Sequence, residues 1–487
     1  MNNRAGTILN FKCGEISTPR DMKGTYPCRG SKVKRQYYGR ERIKDVFELR
    51  RYVIYDIVIE ISAPDGMVFN DRGFFMESFF KLVTCERALE HLKGFGPIGR
   101  ESVSLDDALD RVCSEDVTAP ENLPGFARST MDGYAVRARD TFGAAETLPA
   151  FFEVCGEVEM GRAAEFSVEP GRAARISTGG MLPPGADAVV MVEYCHPLDA
   201  HTIEITRAVS VLENVIQAGD DVSRGTVVFR TGRRLTPQDI GFCAGLGITG
   251  VHVFKKPKVG IVSAGDEVIP ADRPVEPGKV RDINRYTLAA FCRRHGAVPH
   301  FYGICPDRFE PFRECVVRAV AESDAVWLSG GSSVGTRDLT LQVLESLPDF
   351  KLLVHGISIK PGKPTIIGSC SGKAVIGLPG QVSSAFVVAE ILLTPLLRLL
   401  CGRSEDQRIG RGFLEAELSR NLESSGGREE YVGVRLKEQN GIVSAEPVFG
   451  KSGLISTMVE AEGLIRIPLN SEGLYAGQKV FVRLFDH

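Results

Sequence analysis

The sequence lacks several features that would assign a protein to a class at once. Its formal net charge is only −3 over 487 residues, so it has no global positive field of the kind that drives nucleic-acid binding. The longest apolar run begins at Ala385 and is interrupted by Glu390, Pro395 and Arg398, which predicts a buried helix and no membrane insertion. We therefore expect no nucleic-acid partner, and we expect any anionic ligand to be held by a local site.

Cysteine and histidine spacings typical of common sites are also missing. The 12 cysteines never form a CxxC pair, and the 8 histidines include no HExxH motif. These patterns favour reduced thiols in the cytoplasm and no zinc site built by the protein. With 43% hydrophobic and 25% charged residues, we expect a globular protein of about two to four domains.

The first 75 residues differ from the rest of the chain. They are basic, contain many Gly and Pro residues and lack the apolar segment of a secretory signal. A nucleic-acid-binding arm is one interpretation, and a start codon placed too early is the one we favour. Met76 opens a segment in which Thr84 is predicted to cap a short helix, so we expect residues 1–75 to be a non-native or disordered extension.

Two kinds of structure are predicted for the remainder. A second helical pattern, SLDDALDRV, begins at Ser104, and short apolar runs separated by turns then indicate a β-rich region. From Lys256 strands and helices alternate, with Asn284 and Asp307 as expected helix caps and Gly296 as a helix stop. Such a βαβαβ series predicts a mainly parallel sheet with helices on both faces and ligands outside the carboxyl ends of its strands.

The predicted strand ends carry residues suited to ions. One strand is followed by glycines and hydroxyls that suit a phosphate: Gly330, Gly331, Ser332 and Ser333. This loop lacks the GxxxxGK[ST] and GxGxxG patterns, so it is neither a P-loop nor a dinucleotide fingerprint. Asp266, Glu267 and Asp338 also follow strands and are predicted to gather around a hard cation such as magnesium. The alternative for Asp338 is a helix cap.

Two further segments suit anions. Lys360 and Lys363 lie on a proline-glycine turn between two predicted strands, a stiff position for an oxyanion site, although lysines are also common in exposed turns. The segment LPGQVSS combines a strand end, Pro-Gly and hydroxyls at a helix N-terminus, which predicts another anion site.

Several motifs closely resemble the MoeA family of molybdopterin molybdenumtransferases, which is akin to the gephyrin E-domain. In chain order they are STMDGY, RISTGGMLPPGADAVV, GIVSAGDE, DINRY, LSGGSSVGTRD and IKPGKP, and the resemblance covers nearly everything from Met76 onward. It implies insertion of molybdate into the dithiolene of adenylylated molybdopterin, with release of AMP, in a magnesium-dependent step. It also implies a homodimer and a possible MogA-like adenylyltransferase partner, and it leaves tungsten open in place of molybdenum.

The resemblance also implies roles for individual residues. The implied catalytic residues are Asp132, Glu267 and Asp338. The implied metal ligands are Glu267, Asp338 and Asp266, with Asp307 a lesser candidate because an arginine follows it where the family often has a second acid. The implied substrate-binding set comprises the phosphate loop, the lysine pair, one residue of the β-rich region and weaker C-terminal matches: Thr178, Gly330, Gly331, Ser332, Ser333, Lys360, Lys363, Arg428, Ser452 and Ser456.

Two details complete the comparison with the family pattern. Asp132 and Thr178 are expected to reach the cleft of the partner subunit. Gln381 stands where the family usually has the asparagine of LPGNP, and the proline that follows is missing.

The implied fold class is a multidomain α/β plus β protein. A central MogA/MoaB-like α/β domain with a mainly parallel sheet is predicted at 255–402, and a small C-terminal β-barrel at 403–487. Residues 76–118 and 220–254 are predicted to form an elongated connecting domain, interrupted by a β-rich inserted domain at 119–219.

Three other functions share part of this pattern. A molybdopterin adenylyltransferase would resemble the α/β domain alone, and a CinA-like nucleotide hydrolase would lack the MDGY segment. A non-enzymatic, gephyrin-like scaffold would keep the whole fold. We favour the transferase because the flanking β-rich regions are present together with the acids Glu267 and Asp338.

We expect the protein made in its native host to begin at Met76. Mass spectrometry of its tryptic peptides should recover the region after Met76 and nothing before it. A digest of the recombinant full chain is the control, because it shows that the upstream peptides are detectable. Upstream peptides in the native protein would contradict the expectation.

Overall fold

The computed structural model describes residues 82–330, 339–404 and 412–485, together with the backbone of short strands before them. Those strands belong to an N-terminal unit, Met1–Phe79, and form two antiparallel pairs: Arg51–Ile54 with Ile57–Glu60, and Met67–Phe69 with Phe75–Glu77. Most of the predicted 1–75 extension lies outside the described residues. The second unit, Phe80–His487, contains all the predicted site residues.

The first helix of this unit begins where the sequence predicts. The hydroxyl of Thr84 accepts a hydrogen bond from the Arg87 amide at 3.2 Å, which caps the helix Cys85–Leu92. Its buried residues recur at helical spacing: Cys85, Ala88 and Leu92. This apolar face packs into the core of the α/β part of the protein.

Two distant segments pair to form a connecting layer. Arg100–Ser104 pairs antiparallel with Gly250–Phe254, and Val117–Thr118 pairs antiparallel with Val227–Phe229. The helix Pro237–Gly245 starts with a capping box between Thr236 and Asp239. These elements share one small apolar core that includes Ala108, Cys113, Phe229, Leu235, Cys243, Val251 and Val253.

The prediction of a helix at SLDDALDRV is wrong. Ser104 ends a strand, and only the short 3-10 helix Leu105–Asp107 follows. Backbone groups of this segment form hydrogen bonds with residues far away in the chain, since the Leu105 amide donates to the Thr249 carbonyl at 3.2 Å. Asp110 adopts a left-handed φ of 63°, and its amide donates to the Leu235 carbonyl at 3.0 Å. A continuing helix would break these contacts.

The predicted β-rich region is a six-stranded sheet. Its spatial order is Ala188–Met191, Gly133–Val136, Arg172–Ile176, Ala150–Glu157, Thr202–Ile205 and Cys195–Pro197. All neighbours are antiparallel except Arg172–Ile176 and Ala150–Glu157, which are parallel. The short pair Arg128–Ser129 with Val215–Ile216 and the 3-10 helices Ala138–Thr141 and Val192–Tyr194 complete the region.

Gly133 of the MDGY segment is held by close backbone packing. A Cβ atom at Gly133 would overlap the carbonyl oxygen of Val190 on the neighbouring strand. Tyr134 and Ala135 then point to opposite faces of the sheet, where each joins a separate apolar cluster. The turn therefore leads directly into a fully buried strand.

The α/β part contains the predicted mainly parallel sheet. Its spatial order is Val298–Cys305, Lys258–Ala264, Ala325–Ser329, Lys373–Leu378, Ile366–Cys370 and Phe350–His355. The first four strands are parallel, and the last two join antiparallel. A short parallel pair, Val268–Ile269 with Val280–Arg281, lies beyond the end of the second strand. The predicted fold class is confirmed.

Both faces of this sheet are covered, as continuous apolar strands require. Ile261 and Trp327 face the core that also contains Leu288, whereas Val262 and Leu328 face the core built around helix Phe309–Glu322. The helices of this part are Asn284–Arg294, Phe309–Glu322, Leu339–Glu345, Val382–Val388 and Thr394–Leu400, with a π-helical turn at Ala389–Leu393.

Two predicted caps in this part are wrong, and the predicted stop is confirmed. The helix Asn284–Arg294 ends just before Gly296, which has a φ of +84°. Asn284 does not cap this helix, because the carboxylate of Asp282 accepts from the Arg285 amide at 3.0 Å instead. Asp307 does not cap the helix Phe309–Glu322, because its carboxylate bonds to the Asp266 amide across the sheet.

The apolar run near Ala385 forms buried helix. Val382–Leu400 is long and apolar enough to cross a membrane, but 72% of its apolar window is buried inside the protein. Glu390 is 5% exposed within it. The prediction of a buried helix is confirmed.

The C-terminal strands close into a five-stranded barrel, as predicted. Its order is Glu429–Gln439, Ile442–Pro447, Phe413–Leu418, Lys479–Leu484 and Gly463–Ile467, and the last strand pairs back with the first. Ile359–Lys360 of the α/β part adds parallel to the first strand. The pair Leu422–Glu423 with Gly473–Leu474 and the helix Ser456–Glu460 complete this part.

We expect Gly133→Ala to destabilise the protein by about 3 kcal/mol, because the new methyl group meets backbone that no side-chain rotation can move. Gly125→Ala is the matched control, since the nearest atom to its Cβ would be the Asn122 carbonyl oxygen at 3.9 Å. Thermal and urea unfolding of the two variants measure the difference. Equal stability of both variants would show that the close packing at Gly133 is absent.

Candidate active site

Four parallel strands end at one edge of the α/β sheet. Their last residues are Ala264, Cys305, Ser329 and Leu378. Gly330 follows with a φ of +102°, and a Cβ atom there would overlap the carbonyl oxygen of Ala264. A Cβ atom at Gly380 would lie 3.6 Å from the Cα of Gly330. Only a residue without a side chain fits at Gly330, so the predicted phosphate turn begins in close contact with its neighbours.

Two buried side chains tie these strand ends together. Asp282 accepts a hydrogen bond from the Ser263 hydroxyl at 2.6 Å, one residue before the end of its strand. Asn284 donates to the Ser329 hydroxyl at 2.7 Å and to the Gly380 carbonyl at 2.9 Å. Asp282 and Asn284 are only 5% and 7% exposed, so solvent competes little for these bonds. The second amide atom of Asn284, Oδ1, is buried, and it has no hydrogen-bond partner among the residues that the structure describes.

The predicted acids meet at the same edge. Asp307 accepts from the Asp266 amide at 3.4 Å, and Asp266 accepts from the Asp307 amide at 3.2 Å. Burial raises the pKa of Asp307, and the charges of Glu267 and Asp266 raise it further, against the opposing hydrogen bond from the Asp266 amide. The pKa of Asp307, a lesser candidate by sequence, is thus raised by its burial and by the two neighbouring carboxylates.

The strand-end edge is negatively charged, but the described residues form no complete metal site there. Lys279 approaches it, but its ammonium group donates to the Asp266 carbonyl at 2.7 Å and not to a carboxylate. In the described ranges, no group of three or more His, Cys, Asp or Glu side chains is arranged to hold a metal ion. Four predicted site residues lie outside the described residues: Gly331, Ser332, Ser333 and Asp338.

The predicted lysine turn lies where the α/β part meets the barrel. Ile359–Lys360 pairs with the first barrel strand so that Lys360 lies opposite Glu430, and their charged groups are 2.8 Å apart. The Glu429 amide donates to the Ser358 carbonyl at 2.9 Å, which places Arg428 beside the chain that leads into Lys360. Lys363 follows on the turn, and its carbonyl accepts from the Ile357 amide at 3.0 Å.

The LPGQVSS loop contacts the C-terminal part through predicted residues. Ser452 donates its hydroxyl hydrogen to the side-chain oxygen of Gln381, and its carbonyl accepts from the Ser383 amide at 3.1 Å. The Ser383 hydroxyl donates to the Leu454 carbonyl at 3.0 Å. Ser456 begins the short helix that follows. Gln381, the departure from the family pattern, therefore contacts Ser452 directly.

The two predicted residues of the β-rich part lie side by side. The carboxylate of Asp132 accepts from the Thr178 amide at 2.7 Å and from its hydroxyl at 3.2 Å. Within the described part of the chain, no hydrogen bond or ion pair joins either residue to the strand-end edge. The family resemblance implies that both reach the cleft of the partner subunit, which stays a prediction. The structure brings the two residues, 46 positions apart in the chain, into direct contact.

Family models match three consecutive parts of the chain. Residues 83–247 match the MoeA N-terminal region (domain I and II), residues 260–399 match the probable molybdopterin binding domain, and residues 415–485 match the MoeA C-terminal region (domain IV). A molybdopterin molybdenumtransferase from Haemophilus influenzae is 32% identical over 393 residues, covering 80% of this chain and 95% of that protein. The chain belongs to the MoeA family.

Other relatives agree with this assignment. A putative molybdopterin biosynthesis protein from Methanocaldococcus jannaschii is 34% identical over 393 residues, covering 79% of this chain and 92% of that protein. The crystal structure of a molybdopterin biosynthesis MoeA protein from Pyrococcus horikosii superposes with a TM-score of 0.73 and 36% identity. It covers 84% of this chain and 100% of that one.

Sequence reasoning missed the roles of two residues at the strand-end edge and of one at the barrel junction. Asp282 was noted only within the DINRY motif and Asn284 also as a helix cap, although two polar residues at the start of a helix beside a strand-end crevice are a usable signal. Glu430 had no signal of its own. Its contact with Lys360 depends on the register of two strands about 70 residues apart.

We expect Asp307→Asn to stabilise the protein at neutral pH. The pKa of Asp307 is raised, so the folded state holds this proton more tightly than the unfolded chain, and stability falls as the pH rises from about 3.9 through the raised pKa. Asparagine cannot ionise and avoids that loss. The gain should be about 0.5 kcal/mol at pH 7 and near zero at pH 3. It is small because the Asp307 carboxylate is only partly desolvated and solvent screens its charge.

Thermal unfolding at both pH values tests this expectation, with a rise of about 1 °C in the midpoint at pH 7. Asp272→Asn is the matched control, because Asp272 is exposed on a nearby loop. A loss of stability at pH 7 in Asp307→Asn alone would show that the hydrogen bonds of Asp307 outweigh the repulsion.

Proposed function

We propose that this chain is a molybdopterin molybdenumtransferase that inserts molybdate into adenylylated molybdopterin and releases AMP. The observation that carries the proposal is the meeting of Asp266, Glu267 and Asp307 with the Gly330 turn at one sheet edge. The membership of the MoeA family supports the same reaction, because curated relatives carry this name.

The substrates explain why the site combines charges of both signs. Adenylylated molybdopterin carries phosphates, which suit backbone amides at a glycine turn such as the one that begins at Gly330. Molybdate is a tetrahedral oxyanion, which suits the ammonium groups of Lys360 and Lys363 and the guanidinium group of Arg428. Lys360 and Arg428 lie on paired chains, which supports one shared oxyanion site.

The acids suit a magnesium ion. Asp266, Glu267 and Asp307 offer carboxylate oxygens, the ligands that magnesium prefers, and Asp338 is the further acid expected from the sequence. Burial is the main cause of the raised pKa of Asp307, and the charges of Glu267 and Asp266 add to it, so a cation bound there would relieve their repulsion. When bound there, magnesium would neutralise the phosphoanhydride charge and so favour attack by water. The chain itself would act mainly by holding the phosphates and the oxyanion in position.

The assembly follows from the same proposal. We infer a homodimer in which Asp132 and Thr178 reach the cleft of the partner subunit, because their hydrogen-bonded pair is exposed and, within the described part of the chain, has no bond to the strand-end edge. A MogA-like adenylyltransferase would supply the adenylylated substrate, and we place the reaction in the cytoplasm.

Release of AMP from adenylylated molybdopterin tests the proposal directly. The full-length chain should release AMP only with both magnesium and molybdate present. Glu267→Gln and Asp338→Asn should each slow release at least roughly a hundredfold, about 2.7 kcal/mol of barrier, because each removes a carboxylate charge from the proposed metal site. Glu276→Gln is the control, since Glu276 is exposed on the loop after Glu267.

The outcomes separate the candidate functions. Release that depends on molybdate and falls in the two site variants supports the transferase. A folded wild-type protein that binds the substrate without releasing AMP would favour the scaffold function. Equal rates of AMP release by Glu267→Gln and Glu276→Gln would show that Glu267 is not part of the proposed metal site.

A further inference from the structure

Lys360, a predicted oxyanion residue, is paired with a carboxylate that the family resemblance did not assign. Its ammonium group lies 2.8 Å from the carboxylate of Glu430. Glu430 belongs to the first barrel strand and is paired directly opposite Lys360. The Lys360 side chain is 47% exposed and that of Glu430 is 14% exposed. An accessible cation therefore lies against a carboxylate that is largely, but not fully, shielded from solvent.

The surroundings of Glu430 hold its charge close to Lys360. Its second carboxylate oxygen is buried, and no described residue forms a hydrogen bond with it. The neighbouring Glu429 differs, because Arg466 and the Tyr431 hydroxyl both donate to it, at 3.0 Å and 2.9 Å. Both carboxylate oxygens of Glu429 are thus paired, whereas Lys360 is the one cation paired with Glu430 among the described residues.

We propose that Glu430 limits the affinity of Lys360 for the incoming tetrahedral oxyanion, a role that rests on the proposed function. With Glu430 ionised, the pair carries no net charge, so a dianion meets a neutral ion pair in place of a free cation. Burial strengthens this effect, because less water screens the carboxylate. Glu430 does not touch the oxyanion in this arrangement and acts through Lys360, as a positioning residue.

Weak binding of the oxyanion at Lys360 suits a site that must transfer this oxyanion to the substrate. Tight binding of the ground state lowers KM without raising kcat, because only interactions that strengthen in the transition state accelerate a reaction. An unopposed lysine would also hold sulfate and phosphate, which are common dianions of the same shape. Glu430 therefore sets the affinity of the site below the value that Lys360 alone would give.

Calorimetric titration of the full-length protein with sodium molybdate tests this role. Glu430→Gln keeps an oxygen facing Lys360 and removes the charge, so the Kd for molybdate should fall about tenfold. Sulfate should bind correspondingly tighter. The control is Glu446→Gln, which removes the charge from another barrel pair, Lys437 and Glu446, also 2.8 Å apart. That variant should bind molybdate as the wild type does.

A double-mutant cycle separates this role from a purely structural one. In a Lys360→Met background, Glu430→Gln should no longer change the Kd, because the charge that it opposes is gone. If Glu430→Gln does not fold, Glu430→Asp withdraws the charge from the ammonium group and should tighten binding by a smaller factor. Unchanged or weaker molybdate binding in a folded Glu430 variant would overturn the inference.

Kinetics with the same preparations distinguish this inference from the proposed function. In Glu430→Gln, KM for molybdate should fall about tenfold while kcat does not rise. Molybdate-dependent AMP release by the wild type, with no change of Kd in the variants, would leave the reaction standing and reject the role of Glu430. A wild type that neither binds molybdate nor releases AMP, together with variants that bind none, would reject both.

Discussion

The hydrogen bonds of Asp282 and Asn284 hold the strand ends on which the candidate site depends. Each side chain reaches from the start of one helix to neighbouring strands, Asp282 to Ser263 and Asn284 to Ser329 and Gly380. Parallel strands contribute ligand-binding residues only from the turns after their carboxyl ends, so the spacing of those turns sets the shape of the site. A buried polar network can hold that spacing because no water competes for its bonds.

The site built on these strand ends carries charges that the fold alone does not need. The carboxylate of Asp266 and that of Asp307 each accept a hydrogen bond from the backbone amide of the other residue, so the chain holds two acids together against their repulsion. The opposite arrangement occurs at the barrel junction, where Lys360 and Glu430 neutralise each other. The strand-end edge therefore carries excess negative charge, whereas the Lys360–Glu430 pair at the barrel junction is near neutral. This combination suits a bound cation together with anionic substrates.

Sequence patterns predicted the elements in which one local signal dominates. The apolar run from Val259 to Val262 lies in the central strand Lys258–Ala264, and Thr84 caps its helix. Predictions failed where tertiary contacts used the same groups. The amide of Leu105 bonds to Thr249, and the carboxylate of Asp307 bonds across the sheet, so neither the helix nor the cap forms. A helix signal describes only the local competition for backbone hydrogen bonds.

The sequence by itself predicted the alternating strands and helices after Lys256, the mainly parallel sheet and the motifs that resemble the MoeA family, because period and turn chemistry are local properties. The barrel was implied by that resemblance. The sequence also placed Glu267, Gly330 and Lys360 at strand ends. Only the tertiary structure decided which of these meet. The pairing of Lys360 with Glu430, the contact of Gln381 with Ser452 and the packing of helix Cys85–Leu92 against the α/β core depend on chain segments far apart in sequence. Strand register and core packing are set by the whole fold, and no local pattern encodes them.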